Sequence, residues 1–569
     1  MTGIPNANLP PALPSSLGTK PLTRSRALVA NRVALMTVGA LLLAVAVRAW
    51  LVLSRDFPLN DGGLFFRMTD ELAANGFRLP RTTSYNAAGI PFAYSPLAFY
   101  IGAVLHSAFG VDLVDVFRFV PLVFSTLCVL AFWLLARELA ASRAVVMSAL
   151  CIFAVLPRSF LWLIMGGGLT RSLGFFFAIL ALWQLHRALT RRSWRHVAWT
   201  TAFAALTVLS HLGTAPFVAF SGVLMMLFFG RHRFGIVALL AIAVGTAVLT
   251  APWWLSIVVT HGIEPILAAG ATGGTVFNTH TRGEALAKLA FFGLGTAEPL
   301  FPIIGALAIL GTFASITRRG AFLPLWWLLI ILLDVRAGAT YASIPVALLA
   351  AVALIEVIVP IVARPSAWQI TTRDSAGPRG WDAAATAPPH RRLVLAGILV
   401  VLLGYGVASS LARRPSLNAE GRYLTSLTPD DRAAMNWVAQ RTPTGSRFLI
   451  IVGGAAGGWW ADRVGEWFPV LANRVSVATV QGTEWLPNHL FEQRERQYNQ
   501  LQGCAGWQVS CIEDWSVQYS LPFNYIYIPK TLAFPCCAPL ETALRRDPSM
   551  RLVFSGRGAL IYERHPLMN

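Results

Sequence analysis

The sequence predicts a polytopic α-helical membrane protein with about eleven transmembrane helices and a C-terminal extracytoplasmic α/β domain. Of its 569 residues, 55% are hydrophobic and only 13% are charged, and the mean hydropathy is +0.58, far from the balance of a soluble protein. Apolar runs of roughly 17 to 25 residues, long enough to cross a bilayer as helices, recur from residue 33 to about residue 411. Beyond this point the composition is that of a soluble α/β domain.

The positive charges indicate the orientation of these helices. The formal net charge is +19, but the basic residues alternate with the apolar runs and do not form one basic face with interleaved aromatic residues, which excludes nucleic acid as a partner. By the positive-inside rule, the arginine-rich loops lie in the cytoplasm. We therefore expect an integral protein of the cytoplasmic membrane with a cytoplasmic N-terminus and, after an odd number of spans, an extracytoplasmic C-terminal domain.

The elements are predicted in order along the chain. Residues 1–32 are polar and proline-rich without the apolar core of a signal peptide, so we expect a disordered cytoplasmic tail. The transmembrane domain covers 33–411, with long external loops near 54–114 and 259–298. One short apolar run, 94–110, is bounded by prolines and is expected to be a re-entrant or interfacial helix. The predicted spans lie near 33–53, 115–137, 144–162, 170–188, 197–212, 214–230, 235–258, 300–317, 321–333, 338–362 and 393–411.

Residues 412–569 are predicted to form the α/β domain. In "LTPDDRAAMNWVAQ", Thr428 is an expected helix N-cap and Pro429 takes the first helical position. Strand-like runs alternate with helical stretches, which favours a small, partly parallel sheet. These runs are "RFLIIVG", "RVSVATV", "NYIYIP" and "RLVFSGRGALIYER".

Four of the six cysteines lie in this domain, at Cys504, Cys511, Cys536 and Cys537. Disulfides are expected in an extracytoplasmic domain. Each of the two adjacent cysteines could pair with one upstream partner, and the sequence leaves the connectivity open. A zinc site is the weaker alternative, because the spacing matches no common set of ligands.

The stretch "PLNDGGLFF", residues 58–66, places a carboxylate on a glycine-rich turn just beyond the first span. Charged residues near membrane depth are costly and are therefore functional candidates. Asp61 could act as a general base toward an acceptor or bind a divalent cation. The alternative, which the local sequence alone favours, is a turn or helix-capping carboxylate.

The longer stretch "PLNDGGLFFRMTDELAANGF" resembles the first external loop of the C-type (GT-C) membrane glycosyltransferases. The likeness is to the catalytic subunit of oligosaccharyltransferase and to enzymes that use polyprenyl-phosphate sugars. That family has an Asp, often within Asn-Asp-Gly, that serves in catalysis and metal binding. Asn60, Asp61 and Gly62 match it. The resemblance implies a catalytic Asp61 and leaves open whether Mg²⁺ or Mn²⁺ takes part.

The stretch "GGWWADRVGEWFPVLANRVSVATVQGTEW" resembles the Trp-Trp-Asp signature region of the same subunit, which recognises Ser or Thr of an acceptor peptide. Trp459 and Trp460 match and are the candidate acceptor-side residues. Ala461 stands where the family has Asp, and Asp462 is displaced by one position, so the acceptor is left open between glycan, lipid and protein. Without the resemblance, two such tryptophans are more often packing anchors.

Two arginines are candidates for binding the donor phosphate. In "LLDVRAGATYASIPVALLAA", Arg336 lies where the family has an Arg that contacts the lipid-linked phosphate, and a guanidinium suits this role because it binds phosphate oxygens in bidentate fashion. The alternative is an ion pair with Asp334. In "MGGGLTRSLG", the family often carries an acidic pair, but here Arg171 offers a positive charge that could replace a cation or anchor the helix.

Other polar residues could complete a site around Asp61. His211 could accept a proton, although a structural hydrogen-bonding role is the more common one. The loop near 259–298 is long, and such loops are often functional. From it, Glu284 is named as a second metal ligand beside Asp61. Further candidates in this loop are Glu264, Glu298, His261 and His280.

Taken with the resemblance, these residues imply an enzyme that transfers a sugar from a polyprenyl-phosphate-linked donor to an extracytoplasmic acceptor, with inversion at the anomeric carbon. The alternatives are a transporter, a lipid-binding protein or a subunit of an envelope assembly on the same architecture. Transporters often show paired halves, and we detect no such pair. The large α/β domain after the last span also favours a transferase.

Overall fold

The computed structural model describes two connected parts, a helical membrane domain and a C-terminal domain. Arg336, Glu284 and His280 lie outside the described residues, so the predictions for them stay predictions. The described residues are 21–140, 142–272, 283, 286–287, 296–299, 301–334, 337–363, 388–411, 424–456, 458–532 and 536–565.

Within these residues, seven helices are long and apolar enough to cross a membrane. All eleven predicted spans overlap helices, but four of them, at α5, α7, α11 and α12 as numbered below, do not belong to these long segments, so the number eleven stays a prediction. The seven long segments are Ala34–Leu53, Leu113–Leu139, Gly168–Arg191, Leu212–Phe229, Arg233–His261, Gly338–Ala363 and Pro389–Leu411.

The helices of the membrane domain, with the numbering used below, are as follows. They are α1 Pro21–Leu53, α2 Gly63–Ala74, α3 Leu97–Phe109, α4 Leu113–Leu139, α5 Arg143–Val155, α6 Gly168–Arg191, α7 Trp194–Ser210, α8 Ala215–Phe229, α9 Arg233–His261, α10 Glu264–Ala271, α11 Ile303–Thr317, α12 Phe322–Leu333, α13 Gly338–Ala353 and α14 Pro389–Leu411.

The start of α1 and the end of α5 differ clearly from the prediction. Helix α1 begins at Pro21, inside the segment predicted as a disordered tail. Helix α5 ends at Val155, short of the predicted 144–162, because Pro157 follows and disfavours a helical conformation at the residue before it. The chain from there to α6 forms an irregular segment, and this segment approaches the turn that carries Asp61.

Helix α3 occupies the run that was not assigned as a span. It has 13 residues, which corresponds to about 20 Å of α-helix and is too short for about 30 Å of hydrocarbon. It ends at Gly110, whose φ of 67° suits a helix C-terminus. Its length therefore agrees with the interpretation of 94–110 as something other than a membrane span.

The C-terminal domain contains a five-stranded sheet in the order β2-β1-β3-β5-β4. Strand β1 is parallel to β2 and β3, whereas β5 is antiparallel to β3 and β4. The predicted small, partly parallel sheet is confirmed. Its strands are β1 Arg447–Ile450, β2 Val475–Ser476, β3 Tyr525–Pro529, β4 Met550–Ser555 and β5 Ala559–Arg564; its helices are α15 Pro429–Arg441, α16 Arg463–Leu471, α17 Leu490–Gly503, α18 Val509–Gln518 and α19 Ala538–Arg546.

Helix α15 begins as predicted. The Thr428 hydroxyl accepts the Asp431 N–H, and the Asp431 carboxylate accepts the Thr428 N–H, which forms a capping box.

The disulfides differ from the suggested upstream pairing. Cys504 pairs with Cys511, and Cys536 pairs with its neighbour Cys537. Cys504 and Cys511 meet because α17 and α18 are joined by a short turn, which brings their Cα atoms to 5.7 Å.

The first long loop, between α1 and α4, packs against the C-terminal domain. Asn86 and Ser476 exchange two hydrogen bonds of 2.9 and 2.7 Å. Arg432 donates to both carboxylate oxygens of Asp56, and Leu59 forms an isolated β-bridge with Ser426. These contacts hold the turn between α1 and α2 between the two domains.

Candidate active site

Asp61 lies on a tight turn whose glycines are required by close backbone contacts. Asn60 has a φ of 54° and Gly62 a φ of 121°, and such values favour Asn and Gly over other residues. The turn faces the irregular segment before α6. A Cβ atom added to Gly166 would lie 1.9 Å from the Asp61 carbonyl oxygen. The glycines of "NDGG" and "MGGG" therefore allow two distant loops to touch.

The Asp61 carboxylate bridges to the N-terminus of α6. Its Oδ1 accepts the Gly167 N–H at 2.9 Å, and its Oδ2 accepts from the Arg171 guanidinium at 2.7 Å. Both side chains keep some exposure, 19% for Asp61 and 13% for Arg171. A carboxylate at a helix N-terminus is also stabilised by the helix dipole. Asp61 thus does not cap its own neighbouring helix, and two residues predicted as separate site candidates form one ion pair.

An aromatic ring supports the guanidinium of Arg171. The ring of Trp162 lies 4.9 Å from the Arg171 guanidinium carbon and 5.8 Å from that of Arg158, which favours cation–π attraction. The Nε atom of Arg171 is buried and has no hydrogen-bond partner among the described residues. The site therefore combines a carboxylate with a positive charge that is fixed in place by an aromatic ring.

Glu466 on α16 reaches this turn from the C-terminal domain. Its Oε1 accepts the N–H groups of Gly62 at 2.7 Å and Gly63 at 3.1 Å, and its Oε2 accepts from the Gln481 amide at 3.3 Å. Burial, and secondly the negative charge of Asp61, raise the pKa of Glu466 to about 8. Sequence reasoning missed this residue. The available signal was a single acidic residue inside the apolar stretch "VGEWF".

Two further hydrogen bonds attach the turn to the same part of the domain, and a third attaches Tyr85 of the same loop. The Asn60 side chain donates to the Trp460 carbonyl at 3.0 Å, and the Trp467 indole donates to the Asn60 carbonyl at 3.0 Å. The Tyr85 hydroxyl donates to the Glu466 carbonyl at 2.7 Å. The turn that carries Asp61 is consequently bonded on one side to α6 and on the other to α16.

The two predicted acceptor-side tryptophans occupy different environments. Trp459 is buried in the domain core, and its indole donates to Glu495 at 3.1 Å. Trp460 is 48% exposed, and its carbonyl binds the Asn60 side chain. Trp459 therefore matches the alternative of a packing anchor, whereas Trp460 lies at the surface next to the Asp61 turn.

Comparison with known proteins finds similar folds but no similar sequences. No protein-family model matches the chain, and no curated protein matches it by sequence. Solved structures do match its fold. The oligosaccharyltransferase of Archaeoglobus fulgidus, in complex with Zn and sulfate, has a TM-score of 0.52 at 15% identity, covering 94% of this chain and 74% of that one. Arabinofuranosyltransferase AftD from Mycobacteria, as a mutant, has a TM-score of 0.54 at 15% identity, covering 94% of this chain and 42% of that one.

The chain has the GT-C fold. It is an integral membrane protein with several apolar helices, and it spans less than half of the length of AftD. At these identities the likeness establishes the fold, so the chemistry has to be argued from the site itself.

The Asp that is displaced from the tryptophan signature has a structural role in this chain. Asp462 is buried and is the N-cap of α16, where its carboxylate accepts the Gly465 N–H at 2.9 Å. The Tyr498 hydroxyl donates to the other carboxylate oxygen at 3.1 Å, and burial raises the pKa of Asp462. This carboxylate is therefore occupied within the domain and does not line the surface beside Trp460.

The GT-C resemblance leaves a divalent cation open, and the described donors do not fit one. Within the described part of the chain, no three His, Cys, Asp or Glu side chains are grouped to hold a metal. Both oxygens of Asp61 already accept N–H groups, and the Arg171 charge at 2.7 Å would repel a cation at the same carboxylate. The pairing of Asp61 with Glu284 stays a prediction.

Other polar candidates have structural contacts. The Glu298 carboxylate accepts the Ile304 and Gly305 N–H groups at the start of α11. A ring nitrogen of His261 lies 2.9 Å from the Arg81 carbonyl oxygen. A ring nitrogen of His211 lies 2.9 Å from the Thr214 hydroxyl, in agreement with a structural histidine. Glu264 lies in the first turn of α10.

Proposed function

We propose that this protein transfers a sugar from a polyprenyl-phosphate-linked donor to an acceptor on the external side of the cytoplasmic membrane. The observation that carries the proposal is the ion pair between Asp61 and Arg171 at 2.7 Å. It puts a carboxylate and a guanidinium, both partly exposed, where two loops of the membrane domain meet the C-terminal domain. A lipid-linked donor needs such a site, because its chain stays in the bilayer while its phosphosugar reaches the aqueous face.

In this reaction Arg171 binds the donor phosphate. Its guanidinium keeps some exposure, 13% of the side chain, and arginine matches phosphate oxygens in geometry and charge. Its charge is fixed in place by Trp162 and Asp61 before the reaction, so it stabilises the negative charge that develops on the leaving phosphate. Arg336 is the second phosphate ligand of the proposal and rests on the family resemblance.

Asp61 orients the acceptor and receives its proton. The acceptor oxygen forms a bond to the anomeric carbon as the bond from that carbon to the phosphate oxygen breaks. The electron pair of the broken bond leaves with the phosphate, and the acceptor proton passes to the Asp61 carboxylate. A single displacement of this kind inverts the anomeric configuration.

The acceptor approaches beside Trp460. This exposed ring next to the Asp61 turn can stack on an apolar face of an acceptor, while Trp459 supports it from the core. Ala461 replaces the carboxylate with which the resembled subunit recognises a peptide hydroxyl, and Asp462 is used to cap α16. The proposal therefore favours a glycan or a lipid as the acceptor over a peptide.

The experiment that tests the function is transfer of labelled sugar from a panel of polyprenyl-phosphate and polyprenyl-diphosphate sugars to membrane acceptors. Asp61→Asn is expected to lower kcat by about 10² to 10⁴-fold, the usual contribution of general base catalysis. The matched control is Asp70→Asn, which removes an exposed carboxylate of the same loop that lies 3.9 Å from Arg67, and it is expected to stay close to wild type.

A chelator is added in parallel and is expected to leave the activity unchanged, because the described donors around Asp61 do not fit a divalent cation. Loss of activity on chelation would show that undescribed residues such as Glu284 complete a metal site. If the wild-type protein consumes no donor, or if Asp61→Asn is as active as wild type, the transferase proposal fails and the transport, lipid-binding and assembly alternatives gain.

A further inference from the structure

We propose that Glu466 is a positioning residue for Asp61: from the C-terminal domain, its carboxyl holds the backbone of Gly62 and Gly63 and so fixes the turn that carries the catalytic carboxylate. This inference rests on the proposed function, since it assigns the C-terminal domain a role in the geometry of that same site.

The two N–H groups that Glu466 accepts are among those that have no partner within α2. Gly62 is the N-cap of α2 and Gly63 its first residue, and no side chain caps this end from within the helix. The first N–H groups of a helix have no intrahelical partner and need an acceptor from elsewhere. Glu466 Oε1 supplies this partner at 2.7 and 3.1 Å, about 400 residues away along the chain.

The burial of Glu466 indicates that its carboxyl serves this turn. The residue is 6% exposed, and no Lys or Arg within the described parts of the chain forms an ion pair with it. A carboxyl buried without a cation is costly unless hydrogen bonds offset the cost. Among the described residues, the hydrogen-bond donors at this carboxyl are the Gln481 amide and the Gly62 and Gly63 N–H groups. An apolar side chain would serve packing alone without this cost.

The close contact between α2 and α16 explains the second glycine of "NDGG", Gly63. A Cβ atom added to Gly63 would lie 2.6 Å from the Glu466 carbonyl oxygen and 3.2 Å from the Trp467 Cα atom. The backbones of α2 and α16 therefore approach so closely that only glycine fits. The glycines of the turn therefore allow close backbone contact with the C-terminal domain as well as with the loop before α6.

This arrangement also explains how the turn stays aligned. Asp61 is bonded to α6 through its side chain, and the residues directly after it are bonded to Glu466 through their backbone. Without the second attachment, the turn could rotate while the ion pair with Arg171 shifted with it. A misplacement of about 1 Å in a catalytic group can cost about a hundredfold in rate.

The test compares Glu466→Ala with Glu466→Gln in the full-length protein, and Glu513→Gln is the control. Glutamine keeps an acceptor oxygen for both glycine N–H groups, and the Gln481 amide can rotate to face the new NH₂ group. Glu513 is a carboxylate of the same domain that pairs with Arg564. The measurements are kcat and KM for sugar transfer at pH 7, and hydrogen–deuterium exchange of the peptide covering 58–66.

Glu466→Ala is expected to lower kcat by about tenfold to a hundredfold, with donor KM within about twofold of wild type, since Arg171 still binds the phosphate. Its 58–66 peptide exchanges faster, while peptides from the central strands β1 and β3 stay protected. Glu466→Gln is expected to restore most of kcat and of the protection. The control behaves as wild type in both measurements.

The proposal is overturned if Glu466→Ala keeps the wild-type kcat, if its exchange rises throughout the C-terminal domain instead of at 58–66, or if Glu466→Gln is as impaired as Glu466→Ala. A wild-type protein without transferase activity would refute the proposed function separately, and the exchange of 58–66 would still decide whether Glu466 holds the turn.

Discussion

At the scale of single residues, the site depends on the different chemistry of Asp61 and Arg171. The carboxylate accepts both the Gly167 N–H and the guanidinium, and the guanidinium makes two kinds of contact at once. It pairs with Asp61 and lies over the Trp162 ring. A lysine has a single point charge and lacks the planar group that makes both contacts.

This difference gives a prediction for Arg171→Lys. We expect kcat/KM for sugar transfer to fall about tenfold to a hundredfold, because a hydrogen bond to a charged group contributes about 1.5–3 kcal/mol. Arg171→Gln should lose more, since it also removes the charge opposite the phosphate. The measurement is a donor titration with the purified variants.

The control for this prediction is Arg187→Lys on the same helix. Arg187 pairs with Glu138 at 3.3 Å and takes no part in the proposed reaction, so its conservative replacement is expected to leave kcat/KM near wild type. Equal activity of Arg171→Lys and wild type would contradict the role of the planar guanidinium in binding the phosphate.

At the scale of elements, the apolar runs gave the positions of the helices because a span needs a minimum length of apolar residues. The α15 cap and the strands of the sheet were also predictable, since their signals are local. The end of α5 was not predicted, because Pro157 ends the helix although apolar residues follow it. The ion pair between Asp61 and Arg171 and the contact of Glu466 with Gly62 could not be predicted either. They join residues more than 100 positions apart, which only the tertiary fold brings together.

The close approach of α2 and α16 predicts the effect of Gly63→Ala. The added Cβ would lie 2.6 Å from the Glu466 carbonyl oxygen, so one backbone must shift, and overpacking of this kind costs about 1–3 kcal/mol. We expect a lower melting temperature and a loss of transfer activity. The measurement is thermal unfolding of the purified protein together with the transfer assay.

Gly503→Ala is the matched control, because a Cβ atom at Gly503, the last residue of α17, meets nothing within 4 Å. It is expected to leave stability and activity unchanged or slightly improved, since alanine favours a helix more than glycine does. If Gly63→Ala is tolerated as well as Gly503→Ala, then the two helices are not packed as closely as described.

At the scale of the whole molecule, the turn that carries Asp61 contacts both the membrane domain and the C-terminal domain. The protonation of Glu466 therefore affects the stability of the interface between them. Glu466 lies at their interface, where Asp61 faces it with a negative charge that raises its pKa and Arg171 with a positive charge that lowers it. Burial dominates, and the pKa rises from 4.5 to about 8 on folding. Between these pH values the folded protein keeps a proton that the unfolded chain releases.

The stabilisation from Glu466 is therefore complete below about pH 4.5 and is lost as the pH rises through about 8. We expect the melting temperature of the wild-type protein to fall by several degrees more between pH 6 and pH 9 than that of Glu466→Gln, whose amide does not titrate. Thermal unfolding of both proteins at the two pH values measures the difference, and Glu513→Gln should follow wild type. Equal decreases for wild type and Glu466→Gln would mean that Glu466 is ionised throughout this range, so that its bonds to Gly62 and Gly63 join the domains independently of pH.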